Sequence, residues 1–199
     1  MDNPIVLCFD RDFTVDVNFD AHRASVELNA PGDAEPVPLA WVQHYAHAVD
    51  GVDVWATGNQ RLREEAMIPG IREARSLWES RRERGVESVY ESPGYLHDYK
   101  PGRRDGLRLI ADVYEAAIDD ADGDAVSGAV EFVVVDDVDL SDMAAEWGEH
   151  FFPWEFVECE RWRVDDPVFP GVPACSEEFE ATELERGHDA LDELERAAP

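Results

Sequence analysis

Apolar residues in this chain gather in short, nearly continuous runs: Pro4 to Phe9, Val52 to Ala56 and Ala129 to Val135. Each is too short for a stable helix and mostly too continuous for a strand with one wet face, which predicts strands buried on both faces of a parallel sheet. Between the runs, apolar positions recur at helical spacing over Pro38 to Val49, Gln60 to Met67, Pro69 to Arg84 and Arg104 to Ile118. Pro38 and Pro69 suit the first turn of a helix, where a missing N–H costs nothing. Strands alternating with helices predict an α/β fold around a mainly parallel sheet.

Less regular stretches complete the pattern. Residues 16 to 37 read as a hairpin or irregular excursion, with VDV and ASVEL as candidate strands, and form a candidate lid. DDADGDAVSG reads as an acidic surface loop, Leu140 to Trp147 as a helix, and FFPWEFVECERWRV as an aromatic strand region. A core domain over 1–164 is expected, followed by an acidic, partly helical extension over 165–199.

Each apolar run ends in a polar cluster. Asp10 and Asp12 follow the first, Thr57, Gly58 and Asn59 the second, and Asp136 and Asp137 the third. Ligand sites in parallel α/β sheets lie at the carboxyl ends of the strands, so the clusters are expected to share one cleft.

Composition tempers this reading, because 46 Asp and Glu stand against 17 Lys and Arg. A DxD pair is cheap in such a chain. Threonine is scarce, however, occurring only at 14, 57 and 182, so DxDxT directly after an apolar strand is a specific signal. The net charge of −29 reads as a halophilic surface: in ~1 M salt the screening length falls to ~3 Å and self-repulsion is confined to neighbours. An apolar share of 44% with six Trp and nine Phe predicts a packed core rather than a disordered acidic chain. Cys8, Cys159 and Cys175 show no CxxC spacing and read as reduced thiols. No apolar run approaches the ~20 residues needed to span a bilayer, and the expectation is a cytoplasmic protein with no membrane partner.

The clusters resemble the motifs of the haloacid dehalogenase-like (HAD) phosphohydrolases. IVLCFDRDFTV resembles their first motif, VDVWATGN their second, YKPGRR their third and EFVVVDDVDLSD their fourth, in the family's order. The fourth fits the paired-acid version and departs from GDxxxD, which leaves open which of Asp136 and Asp137 binds metal, with Asp137 favoured and Asp142 a neighbour. The resemblance implies a three-layer Rossmann-like HAD fold. Little chain remains for a cap, so a minimal cap or none is expected.

It also implies a Mg²⁺-dependent phosphohydrolase acting through an aspartyl phosphate. Phosphate esters are anionic and repel an attacking carboxylate, and a hard cation bound by oxygen ligands offsets that repulsion. On this analogy Asp10 is the nucleophile, and Asp10, Asp136 or Asp137 and the carbonyl of Asp12 hold the metal. The Asp12 carboxyl is the general acid and base. Thr57, Gly58, Asn59 and Lys100 form the phosphate-binding set, with Lys100 notable as the sole lysine of the chain. Thr14 is expected to bond locally in its loop. Hydrolase and phosphotransferase remain alternatives, as does a non-catalytic relative that keeps the acids for metal or protein binding.

The partner expected is a phosphorylated substrate of unspecified class, with a homo-oligomer left open. Arg81, Arg82, Arg84, Arg103, Arg104 and Arg108 form either an anion funnel near Lys100 or a helix surface of Arg–Glu pairs, the latter favoured. His44 and His47 have a spacing that can bind zinc but fit a partly buried helix face better. Nucleic acid is disfavoured, since few cations are interleaved with the aromatic run.

Overall fold

The computed structural model describes residues 5–83, 103–119, 130–143 and 148–169. Among the described residues four strands form one sheet in the order β2-β1-β3-β4, with every neighbouring pair parallel. They are β1 (Ile5–Phe9), β2 (Val52–Ala56), β3 (Glu131–Val135) and β4 (Gly148–Phe151). The first three match the predicted runs to within two residues at each end.

Period-two alternation divides the strand side chains between two helical layers. Val6, Cys8, Trp55, Phe132 and Val134 pack on one face against α4 (Ile71–Glu83) and α5 (Arg103–Asp119), through Leu77, Trp78, Leu107 and Ile110. Leu7, Phe9, Val54, Ala56, Val133 and Val135 pack on the other face. There they meet α2 (Leu39–Ala48), α3 (Arg61–Ala66) and α6 (Pro153–Glu158). Helices on both faces leave little of the inner strands wet, which is why these runs are continuous rather than alternating. The result is a three-layer α/β arrangement compatible with a Rossmann-like fold.

Two stretches fold differently from their predicted elements. ASVEL is not a strand: Ala24 to Glu27 belong to helix α1 (Ala21–Glu27), because the Asp20 side chain caps it by accepting from the N–H groups of His22 and Arg23 at 3.1 and 3.2 Å. The excursion from 16 to 37 is therefore no β-hairpin. A 3₁₀ turn (Asp16–Asn18) precedes α1, and the two ends are joined by a single parallel bridge between Val15 and Val37. The aromatic stretch also departs from a strand. Phe151 ends β4, but Pro153 opens α6, and Glu155 accepts a hydrogen bond from the Phe152 N–H at 3.2 Å.

Leu140 to Trp147 shows a helical turn at 141–143 that Leu140 precedes, and 144–147 lie outside the described residues, as do the 119–128 loop beyond Asp119 and the extension after 169. Among the described residues no helix is long and apolar enough to cross a membrane.

Candidate active site and metal centre

Sheet register builds the site. Phe9 pairs with Ala56 on one side and Val135 on the other, so the next residues, Asp10, Thr57 and Asp136, stand in a row at the carboxyl edge. Backbone bonds carry the ladder across that row: Asp10 N–H donates to Val135 C=O at 3.0 Å, Thr57 N–H to Phe9 C=O at 3.0 Å and Asp136 N–H to Phe151 C=O at 3.2 Å. Asp10 and Asp136 are fully buried, Thr57 and Asp137 nearly so. One carboxylate oxygen from each of Asp10, Asp136 and Asp137 lies within 4.8 Å of the others.

Asp10 is gripped from two directions. Its Oδ1 accepts from the backbone N–H of Asn59 at 3.1 Å, and its Oδ2 from Nη2 of Arg103 at 2.6 Å. The turn can come this close only because residue 58 has no side chain, since a Cβ there would sit 1.5 Å from Asp10 Oδ1. Arg103, the first residue of α5, also brings Nε to 3.1 Å from Asp136 Oδ2 and Nη2 to 3.8 Å from Asp137 Oδ1. One guanidinium thus faces three carboxylates.

That imbalance shows in the ionisation. Burial, then the negative charge of Asp10, push Asp136 up to about 8 and Asp137 up to about 6, against the opposing pull of Arg103. Burial alone would lower Arg103, but Asp136, Asp10 and Asp137 together hold it above its ordinary value. Asp136 Oδ1 accepts from Val138 N–H at 2.9 Å. Asp136 Oδ2 and Asp137 Oδ1 are buried and receive no hydrogen bond among the described residues, and neither does Thr57 Oγ1. Two acceptors left over in a dry site call for a further positive charge.

Asp12 is set apart. Its Oδ1 accepts from Asn18 Nδ2 at 2.6 Å and Arg11 Nη1 at 3.0 Å, and its Oδ2 from Asn59 Nδ2 at 2.9 Å. The orientation of Asn59 is fixed because its Oδ1 accepts from the N–H of Arg61 at 3.1 Å. Arg11 is in turn clamped by Glu65, through Nε at 2.7 Å and Nη2 at 2.6 Å. Burial would raise the Asp12 carboxyl, but the donors Asn59, Asn18 and Arg11 outweigh it and hold it below its ordinary value. The chain leaves the strand here through a tight loop, with Phe13 in the left-handed region at φ 58° and Val15 N–H bonded to Arg11 C=O at 3.0 Å.

The predicted site residues therefore divide. Asp10, Asp136 and Asp137 form one buried group. Thr57, Gly58 and Asn59 form the turn against it, and Asn59 links Asp10 to Asp12. Both Asp136 and Asp137 enter the cluster, whereas Asp142 pairs with Arg104 at the surface, at 2.8 Å. Lys100 lies outside the described residues. Thr14 Oγ1 makes no local bond; it is buried with no hydrogen-bond partner among the described residues.

Arg103 is the residue whose part the sequence did not single out. It stood among six arginines of a candidate funnel, of which Arg104 and Arg108 pair instead with Asp142 and Asp105. The signal available was its distance from Lys100: three residues, within the same third motif. His44 and His47 are engaged elsewhere. His44 Nδ1 accepts from the Val168 N–H at 3.0 Å, and His47 Nε2 lies 2.9 Å from Ala66 C=O.

Comparison with protein-family models, curated proteins and solved structures matched nothing to this chain.

Proposed function

We propose that the protein is a Mg²⁺-dependent phosphohydrolase of the HAD type, acting on a phosphorylated substrate through an aspartyl-phosphate intermediate. The observation that carries this reading is the meeting of three buried carboxylates from adjacent strand ends, two of which keep acceptor oxygens without hydrogen-bond donors among the described residues. An all-oxygen donor set with no sulfur or imidazole suits a hard cation such as Mg²⁺. Asp10, Asp136 and Asp137 would hold it. Bound there, the cation would neutralise charge between the carboxylate nucleophile and the phosphoryl group.

The residues of the chain carry the rest. Asp10 is fixed by the Asn59 N–H and attacks phosphorus in line, splitting a difficult displacement into two easier ones. Thr57 Oγ1, without a hydrogen-bond partner among the described residues, donates to an equatorial phosphoryl oxygen. Asp12, held ionised by Asn59, Asn18 and Arg11, is in the form that draws a proton from the hydrolytic water in the second step. To protonate the leaving oxygen in the first step, the same carboxyl must first take up a proton, against the pull of these donors.

A second reading has its own support. With the Arg103 guanidinium among the acids, the cluster is already partly neutralised, as in a non-catalytic relative that needs no metal.

Hydrolysis of an aryl phosphate, with and without Mg²⁺ and in molar KCl, separates the two. The wild-type protein should turn over only with the cation. Asp10→Asn should lose on the order of 10⁴-fold or more in rate while keeping its circular dichroism spectrum. Equal rates for variant and wild type would remove Asp10 as nucleophile.

A further inference from the structure

The three-acid cluster concentrates more negative charge than one guanidinium can balance. Arg103 satisfies Asp10 Oδ2 with a hydrogen bond, but it meets Asp136 Oδ2 and Asp137 Oδ1 only as an ion-pair neighbour, at 3.1 and 3.8 Å. A guanidinium is a planar fork whose donors point in fixed directions, so it cannot turn toward three acids at once. A small divalent cation has twice the charge and no such directionality, and it accepts oxygens at about 2.1 Å from several sides. Both cannot occupy the same space.

Arg103 also has somewhere to go. Its side chain is 30% exposed while those of Asp10 and Asp136 are fully buried, so it enters from the rim rather than through the core. It extends from the first residue of α5, whose next turn passes the Thr57 carbonyl at a distance where a Cβ on Gly106 would make ordinary contact, 3.9 Å.

We propose that Arg103 and a divalent cation occupy the acid cluster in alternation. On binding, the cation displaces the guanidinium from Asp10, Asp136 and Asp137, and the displaced guanidinium, still tethered at the rim, becomes a donor to the phosphoryl oxygens of the substrate. This deepens the phosphohydrolase reading and rests on it. Metal-free, the site is held closed by its own cation. Metal-loaded, it gains a metal and an anion clamp together, so cation and phosphate bind with positive coupling.

Mn²⁺ alone tests the first half, with free ion followed by electron paramagnetic resonance on wild type, Arg103→Met and Arg103→Lys. Removing an occupant that fills most of the sites lowers apparent affinity no longer, so Arg103→Met should bind Mn²⁺ at least about tenfold more tightly than wild type. Arg103→Lys, which keeps a competing cation, should fall between them. Inorganic phosphate tests the second half by calorimetry. The Mn²⁺-loaded wild type should bind it at least about tenfold more tightly than Mn²⁺-loaded Arg103→Met, in line with loss of a charge-assisted donor.

Should Arg103→Met not fold, the arginine Nε–H resonances of the wild type answer directly. Mg²⁺ should move one of them, the one missing from the Arg103→Lys spectrum. Equal Mn²⁺ affinity in wild type and Arg103→Met, or an Arg103 resonance untouched by Mg²⁺, overturns the exchange while leaving Asp10 chemistry standing. Absence of Mn²⁺ binding in every variant overturns the exchange and the metal-dependent function together.

Discussion

Two buried arginine–carboxylate groups flank the region that follows β2, and they are built on opposite terms. Arg63 and Glu73 form a doubly bonded pair: Arg63 Nε donates to Glu73 Oε2 at 2.8 Å, its Nη2 donates to Oε1, and the Gly70 N–H adds a bond to Oε2 at 2.9 Å. Both side chains are more than nine-tenths buried, and each carboxylate oxygen has a donor. Arg103 faces three carboxylates, two of whose oxygens receive no hydrogen bond among the described residues. Charge is matched in the first group and in excess in the second. Matching makes a joint that ties α3 to α4; excess makes a place where another cation is welcome.

The contrast is sharpened most by removing Glu73. Breaking a buried pair on one side typically costs 3–5 kcal/mol, roughly, because the remaining charge loses its compensation. Glu73→Ala should lower the denaturant midpoint accordingly, with no change in turnover per folded molecule. A stability close to wild type would mean that the two groups do not differ in kind.

Gly58→Ala attacks the other group through geometry. Its Cβ would require Asp10 to shift, and a displacement of about 1 Å at a reacting atom costs on the order of 100-fold in turnover. Aryl-phosphate turnover by the folded variant measures this, and an undiminished rate would show that the close turn does not position Asp10.

The smallest effect is a slope with pH. Asp136 and Asp137 titrate above their unfolded values, at about 8 and about 6, so the folded state holds their protons more tightly than the unfolded one. Their contribution to stability is therefore full below the unfolded carboxylate range near 4 and is lost as pH rises through about 6 and then about 8. Metal-free wild type should show this decline in chemical unfolding, and Asp136→Asn should flatten its upper part. Parallel curves for the two proteins would contradict the excess of charge.

What the sequence made legible follows the same division. Strands buried on both faces are nearly continuous and apolar, so β1, β2 and β3 announced themselves, and with them the positions of Asp10, Thr57 and Asp136 one step beyond. Segments governed by a single capping side chain were harder to read. Asp20 decides that ASVEL turns into a helix, and among 46 acids one capping aspartate does not stand out. Pro153 and Glu155 did carry a helix-start pattern, which the aromatic bulk around them obscured. Lys100 drew attention through rarity, whereas Arg103 reaches the acids because of where α5 begins, a fact of tertiary placement that no spacing rule contains.

The Val15–Val37 bridge gives the region between its ends an unusual freedom. Asp16 N–H bonds to Val37 C=O at 3.0 Å and Val37 N–H to Thr14 C=O at 2.9 Å, so the chain leaves and rejoins the body of the protein at nearly one point. A closed loop of this kind loses only about 0.6 kcal/mol for each doubling of its length. Evolution, or a protein engineer, can therefore swap residues 19–36 for longer or shorter stretches while keeping both Asn18, which holds Asp12, and the row of backbone bonds that positions the acids.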